Sequence, residues 1–425
     1  MPTTPPRGPV RAFERSPAPD LARGGMLLLI AVANTVWYLW GRDHAPGNGH
    51  PVDGSWIDKA TDALVIMTVD MRAYPLFAFM FGYGMVQLYT RQVASGAGER
   101  DAAGLLQVRN LWLLVLGFVH AATLWMGDVL GAYGLAGLLL VWIFLRRRDA
   151  TLLGWAGGLL GLLVIGTAIS VVGSSFAARL SSAEAAQAAG PSTSVDPSIS
   201  LDSYLASVPV RLGQWVYGTL GQGVADLVVP MMILLALWAG RRRILENPGA
   251  HLPLLRRVAA IGVPIGWLGA LPNALDHLGV LGVPARAEGF FLLVQLLTGF
   301  FGGLGYVALW GLAGHVVARR RSRVPAAGIP GAGLLAVDGL VAGAIQAVGR
   351  RSLTCYLAQS VLCAPVLAAW GLGLGQHLSS GTMFLYATAV WGVTVLFAVW
   401  QENRGLPGPA EVLLRRLTYR GAIRR

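Results

Sequence analysis

The chain is built around apolar runs of about twenty residues, with short arginine clusters falling between them. A helix needs roughly 20 residues to cross the ~30 Å hydrocarbon layer of a bilayer. Ten runs of that kind can be drawn, over residues 24–41, 73–90, 105–124, 129–145, 151–175, 212–239, 258–275, 289–317, 352–372 and 382–400. With no water in the bilayer core, each run must satisfy its own backbone donors and acceptors, and helix does so within one segment. The fold class is therefore all-α, a polytopic transmembrane helical bundle of about ten spans. Composition removes the soluble alternative: 55% of residues are hydrophobic, 13% are charged and the mean hydropathy is +0.58. That leaves too few polar residues to cover the roughly three soluble domains that 425 residues would otherwise suggest.

The net charge of +12 would invite a nucleic-acid partner in a soluble protein. Here the cations flank apolar runs, which is the pattern that orients a protein in a membrane. Placing the N-terminus inside puts 27 of the 33 basic residues on the inner side and leaves Arg42, Lys59, Arg72, Arg179, Arg211 and Arg286 outside. Both termini are expected in the cytoplasm, with the inner arginines against anionic lipid. Cys355 and Cys363 lie eight residues apart on one expected helix, a rise of about 12 Å that rules out a bridge between them. No metal-ligand spacing, P-loop or dinucleotide fingerprint is present, so neither a metal nor ATP nor nicotinamide chemistry is expected.

The runs divide the chain into an N-terminal cytoplasmic arm (1–23), a five-span bundle (24–175), an extracytoplasmic loop (176–211) and central spans (212–317). A cytoplasmic linker (318–349) and a C-terminal part with two spans and a basic tail (350–425) complete it. The first run could pass for a signal peptide ending at Ala31-Val32-Ala33. Apolar and aromatic residues continue through Trp37, Tyr38 and Trp40, which reads as an uncleaved span with an interfacial aromatic end. Residues 57–72 mix Asp58, Lys59, Asp62 and Asp70 with apolar residues and read as an interfacial helix.

Ionisable residues at membrane depth are functional candidates because they are costly to place there. Asp226 lies in the sixth run, after Gly221 and Gly223 and four residues before Pro230, the marks of a broken helix that holds a transported proton or cation. The alternative is a structural carboxylate paired with an arginine. His120 lies towards the outer end of the third run and Asp128 follows eight residues later; a carboxylate can hold a histidine in the tautomer of a general base. His44 and His50 on the outer loop are rivals, and His251, His277, His315 and His377 read as interfacial. On the inner side Asp20 and Arg23, Arg109, and Arg350 with Arg351 are cations and an acid at one level. They suit either a phosphate-bearing ligand or lipid head groups.

Several stretches resemble the YeiB-like bacterial membrane proteins. They are Asp20-Leu21-Ala22-Arg23-Gly24 leading to Asn34, the run from Tyr74 to Gly84, and Arg109 through His120 with Trp125, Gly127-Asp128 and Tyr133. Near the C-terminus, Gly349 through Ser360, Gly371 to Leu374, Gly408 to Glu411 and Leu417 to Tyr419 resemble the family's C-terminal domain of unknown function, with Cys355 where asparagine is expected. The resemblance implies a bacterial cytoplasmic membrane protein, and the opening segments are similar to membrane acyltransferases of the heparan glucosaminide acetyltransferase type.

By that resemblance Arg23, Arg109 and Arg350 would hold acetyl-CoA or another acyl-CoA. His120 with Asp128, or His44, would deprotonate a small-molecule or glycan acceptor outside. A secondary transporter using Asp226, Gly223 and Pro230 is the second expectation, and a non-catalytic assembly protein the third.

Overall fold

The computed structural model describes residues 16–177, 179, 197–284, 287–322, 335 and 338–419. The expected arm up to residue 15, most of the long outer loop, Arg286, Arg323 and the tail from 420 lie outside the described residues. The helices are α1 (Pro17–Thr35), α2 (Trp56–Thr68), α3 (Ala73–Ala94), α4 (Glu99–Thr123), α5 (Val129–Phe144), α6 (Asp149–Ala177) and α7 (Tyr204–Leu220). They continue with α8 (Val228–Arg241), α9 (Leu252–His277), α10 (Gly289–Arg321), α11 (Leu340–Arg350), α12 (Ser352–Leu367), α13 (Ser380–Asn403) and α14 (Pro409–Tyr419). Among the described residues no strand forms; His44 and Pro51 make one isolated antiparallel bridge.

The molecule is an all-α, multi-pass membrane bundle. Among the described residues seven helical segments are long and apolar enough to span, and eight if α7 and α8, bent by 51° at a short break, count as one. The other two expected runs form α5 and α12, each of 16 residues. At about 24 Å they fall short of the hydrocarbon thickness. The last residues of the expected linker form α11, packed along α1. The proposed interfacial helix is α2, which lies against α9 and α13 and turns into α3 through Met71 at φ 56°.

Small residues set the closest helix approaches, because helices in lipid gain from backbone proximity rather than from removing apolar surface from water. A Cβ on Gly266 of α9 would sit 2.7 Å from Gly302 Cα of α10. One on Gly349 would sit 1.8 Å from the Asp20 carbonyl oxygen, so glycine there lets α11 lie on α1. On the periphery, α6 leaves Leu162, Ile165, Ile169 and Val172 exposed, as a lipid-facing surface requires. Helices α1, α3, α5, α8 and α10 supply most of the core, with Leu27, Leu76, Tyr83, Tyr133 and Met232 essentially inaccessible.

Candidate functional site

Two cavities enter the bundle from opposite ends. The one at the basic end has about 320 Å³ and lies among α1, α3, α4, α5, α12 and α14; Arg23, Arg91, Arg109 and Arg350 line it with Asp20 and Glu411. Its arginines are held at known points. Arg23 pairs with Asp20 at 3.4 Å and donates to Gln87 Oε1 at 3.2 Å. Arg350 pairs with Asp20 at 3.6 Å and with Glu402 at 2.9 Å. Glu411 is spent on the start of α12, accepting from the Leu353 and Thr354 amides and the Thr354 hydroxyl. Arg109 stacks its guanidinium over Phe81 at 5.6 Å, and its buried Nη1 has no hydrogen-bond partner among the described residues. A buried cation without an anion is costly, and here it borders open space. The three arginines singled out in the sequence are thus gathered in one cavity, with Arg91 added.

The cavity at the opposite end has about 390 Å³ and is lined by Asn34, Trp37, His44, Asn48, His50, Asp70, Tyr74 and Gln295 among others. Its wall is the loop between α1 and α2, folded inward by Ala45 N donating to His50 O at 2.8 Å and Val52 N to Asp43 O at 3.1 Å. Gly49, at φ 74°, takes a left-handed turn against the Trp37 ring, a conformation that glycine adopts without steric cost. Gly47 N donates to Glu288, and Asn48 to Asn273 on α9, which pins the loop to the bundle. Neither rival histidine of this loop is simply solvated: His50 is buried and His44 half-buried.

His44 Nδ1 lies 3.0 Å from the Arg42 carbonyl oxygen. A carbonyl only accepts, so Nδ1 carries the hydrogen and Nε2 the lone pair. That Nε2 is buried and has no hydrogen-bond partner among the described residues. Burial pushes the His44 pKa below the usual histidine value, only partly opposed by the bond to Arg42. Tyr74 Oη and Gln295 Nε2, which line the same cavity, are likewise buried and unpartnered.

His50 is fully buried and engaged on both sides, Nδ1 to Asp62 and Nε2 to Asp70, each at 2.8 Å; His277 meets Asp62 at 3.4 Å. Burial alone would lower its pKa, but the two carboxylates outweigh burial and hold it up at about 9. This network was not legible in the sequence, where Asp62 and Asp70 share one stretch and His277 lies 215 residues beyond Asp62. Among the described residues no group of three or more histidine, cysteine or carboxylate ligands is arranged for a metal ion.

His120 and Asp128 do meet, Nδ1 to Oδ1 at 2.8 Å. Asp128 also caps α5 by accepting from Gly131 N at 2.8 Å, and accepts from Trp215 Nε1 at 3.2 Å. Neither residue lines the two large cavities, and the pair serves as a tie at the α4–α5 corner. Asp226 accepts from the Val228 and Val229 amides at 2.5 and 2.8 Å and so caps α8. The broken helix expected around it is present, as a π-turn over Gly221–Ala225. Gly223 packs on the Ala132 carbonyl oxygen, and Pro230 falls in the first turn of α8, where proline is tolerated. Asp226 lines neither large cavity.

Residues 239–421 match the family described as a protein of unknown function, DUF418. The chain is 28% identical over 434 residues to the uncharacterized protein YeiB of Escherichia coli, covering 96% of this chain and 98% of that protein. It is also 28% identical over 373 residues to the uncharacterized protein YxaH of Bacillus subtilis, covering 85% and 83%. Over most of its length the chain is similar to YeiB-like proteins, and its residues 239–421 carry the match to DUF418. A shorter match, 30% over 144 residues, is to an uncharacterized 39.9 kDa protein of Bacillus acidopullulyticus.

Proposed function

We propose that the protein is an acyltransferase of the bacterial cytoplasmic membrane, carrying an acyl group, acetyl above all, from acyl-CoA on the cytoplasmic side to an acceptor outside. The observation that carries this reading is the pair of cavities: an arginine-lined one and a histidine-lined one that share Phe77 and Tyr133 as common wall. The excess of arginine at one end supports reading that end as the cytoplasmic one.

The basic cavity fits the coenzyme by its donor set. Arg23, Arg91, Arg109 and Arg350 outnumber the carboxylates, and the orphaned Nη1 of Arg109 is a buried donor suited to a phosphate oxygen. When bound, the coenzyme would supply a thioester-activated acyl group. In the other cavity His44 Nε2, unprotonated and unpartnered, would take the proton from an acceptor hydroxyl or amine. His44 would hold that proton while the acceptor atom bonds to the acyl carbon in exchange for the C–S bond, and would then release it to water, the CoA thiolate being protonated from solvent on the arginine side. Asn34, Tyr74 and Gln295 would orient the acceptor. The transporter reading has less support, since Asp226 is occupied in capping α8.

Thermal stability of the purified protein with CoA, acetyl-CoA or ATP tests the reading. At 100 times its dissociation constant a ligand stabilises the folded state by about 2.7 kcal/mol. CoA species are expected to raise the melting temperature, ATP is not, and Arg109→Ala should lose the effect. No shift with CoA species in the wild type would reject the acyltransferase.

A further inference from the structure

Phe77 on α3 and Tyr133 on α5 line both cavities. Their ring centroids are 4.8 Å apart, which is van der Waals contact and leaves no passage between them. The two rings are held differently. Tyr133 is 1% exposed, and its hydroxyl donates to the Tyr74 carbonyl oxygen at 3.0 Å, which anchors the ring from its far end. Phe81 packs on it from the basic side with centroids 5.7 Å apart. Phe77 has no polar anchor, is only half-buried, and beyond Tyr133 meets Tyr356 at a looser 6.5 Å.

The geometry points to Phe77 as the moving leaf and Tyr133 as the fixed post of an aromatic partition that sets how large an acyl group reaches His44. This inference rests on the acyltransferase reading for its substrate. A rotation of Phe77 about its two side-chain torsions opens a gap of about one ring's thickness, wide enough for a short uncharged acyl group. The phosphates of the carrier stay with the arginines, because a charge among these rings would lose its hydration without gaining a partner. The gap exists only while Phe77 is displaced, so a chain long enough to lie across it, as hexanoyl is and acetyl is not, must hold the ring out of its resting contact with Tyr133 and is transferred more slowly. Phe77 is a specificity-determining residue and takes no part in proton transfer.

Two measurements test this, and only the first depends on the acyltransferase reading. In transfer assays Phe77→Ala should shift the hexanoyl-to-acetyl rate ratio at least tenfold toward hexanoyl, and Phe77→Trp should shift it the other way. An unchanged ratio in both variants overturns the partition as a size filter.

The second measurement needs no substrate. Leu88 lines the basic cavity three turns beyond Phe77 and is only partly buried, and the native cysteines Cys355 and Cys363 are buried. In a Leu88→Cys variant the charged reagent 2-sulfonatoethyl methanethiosulfonate should label from inverted vesicles and not from intact cells. Adding Phe77→Ala, or Phe77→Leu where the alanine variant fails to insert, should raise labelling from the intact-cell side at least tenfold. Labelling of Leu88→Cys from that side with Phe77 intact, or no increase in either double variant, overturns the partition. Failure of CoA binding in the wild type would remove the acyltransferase reading while this accessibility result stands.

Discussion

The α4–α5 corner and the loop between α1 and α2 each hold a histidine with an aspartate 2.8 Å from Nδ1, His120 with Asp128 and His50 with Asp62. Their surroundings separate them from each other and from His44. At the corner the aspartate is also the cap of α5 and the acceptor for Trp215, so the pair fastens two helices away from either large cavity. In the loop His50 is held at both nitrogens and has no lone pair to offer. His44 has no carboxylate bonded to its ring, yet its Nε2 is open and borders a cavity. A hydrogen-bonded carboxylate therefore does not by itself identify a base. An unoccupied nitrogen with room for a reactant does.

The sharpest way to break this comparison is to exchange the roles. His44→Ala should lower acyl transfer by about 10²–10⁴-fold, the usual contribution of a positioned base, while CoA species still raise the melting temperature. His120→Ala should lower the melting temperature and leave the rate per folded molecule within a few-fold of wild type. The reverse pattern would make the corner pair the catalytic one. Because burial lowers the His44 pKa, the loss of rate on acidification should have its midpoint below 6.5, the ordinary histidine value.

Next in size is the His50 network. Removing one member of a buried ion pair costs about 3–5 kcal/mol because the other charge is left uncompensated. His50→Ala should therefore be among the most destabilising single changes in the loop, measured by thermal or denaturant unfolding in detergent. The pH dependence follows from a folded-state pKa of about 9 against an unfolded 6.5. The stabilisation is complete below pH 6.5 and is lost as pH rises through 9. The melting temperature of the wild type should fall over that window, and His50→Gln should flatten the fall. A wild-type melting temperature constant between pH 6.5 and 9.5 would remove the cationic His50.

The smallest effect concerns Asp226. As a helix cap its loss in Asp226→Ala should cost about 1 kcal/mol, whereas Asp226→Asn, which keeps a good capping side chain, should be nearly neutral in both stability and transfer. A large loss of function in the asparagine variant with stability intact would bring back the reading of Asp226 as a transport site.

Much of the basic cavity was legible before the fold. Arg23, Arg109 and Arg350 each lie at the expected inner end of a run, so membrane topology alone brings them to one level. Their convergence on one cavity also depends on Gly349, which lets α11 lie against Asp20 and carries Arg350 inward. The histidine cavity was much less legible. His44 was one of two candidates, and the sequence showed neither the inward fold of its loop nor the bond to the Arg42 carbonyl that leaves Nε2 free. Asp62 looked like a residue of an interfacial helix, and His277 like an interfacial end. Both are buried against His50.

What the sequence determined by itself is the all-α membrane bundle and the gathering of cations at one end. Both follow from one-dimensional properties: the length of apolar runs against the thickness of a bilayer, and the placement of arginines between them. What only the tertiary structure decided is which histidine borders a large cavity with its free nitrogen, since Nε2 of His44 and of His120 are both unpartnered among the described residues, which carboxylate is a cap, and where two cavities share a wall. Those depend on contacts between segments tens to hundreds of residues apart, such as His50 with Asp70, Tyr133 with Tyr74 and Arg350 with Glu402. A residue's chemistry here is set by what its polar atoms meet, and distance along the chain carries no record of that meeting.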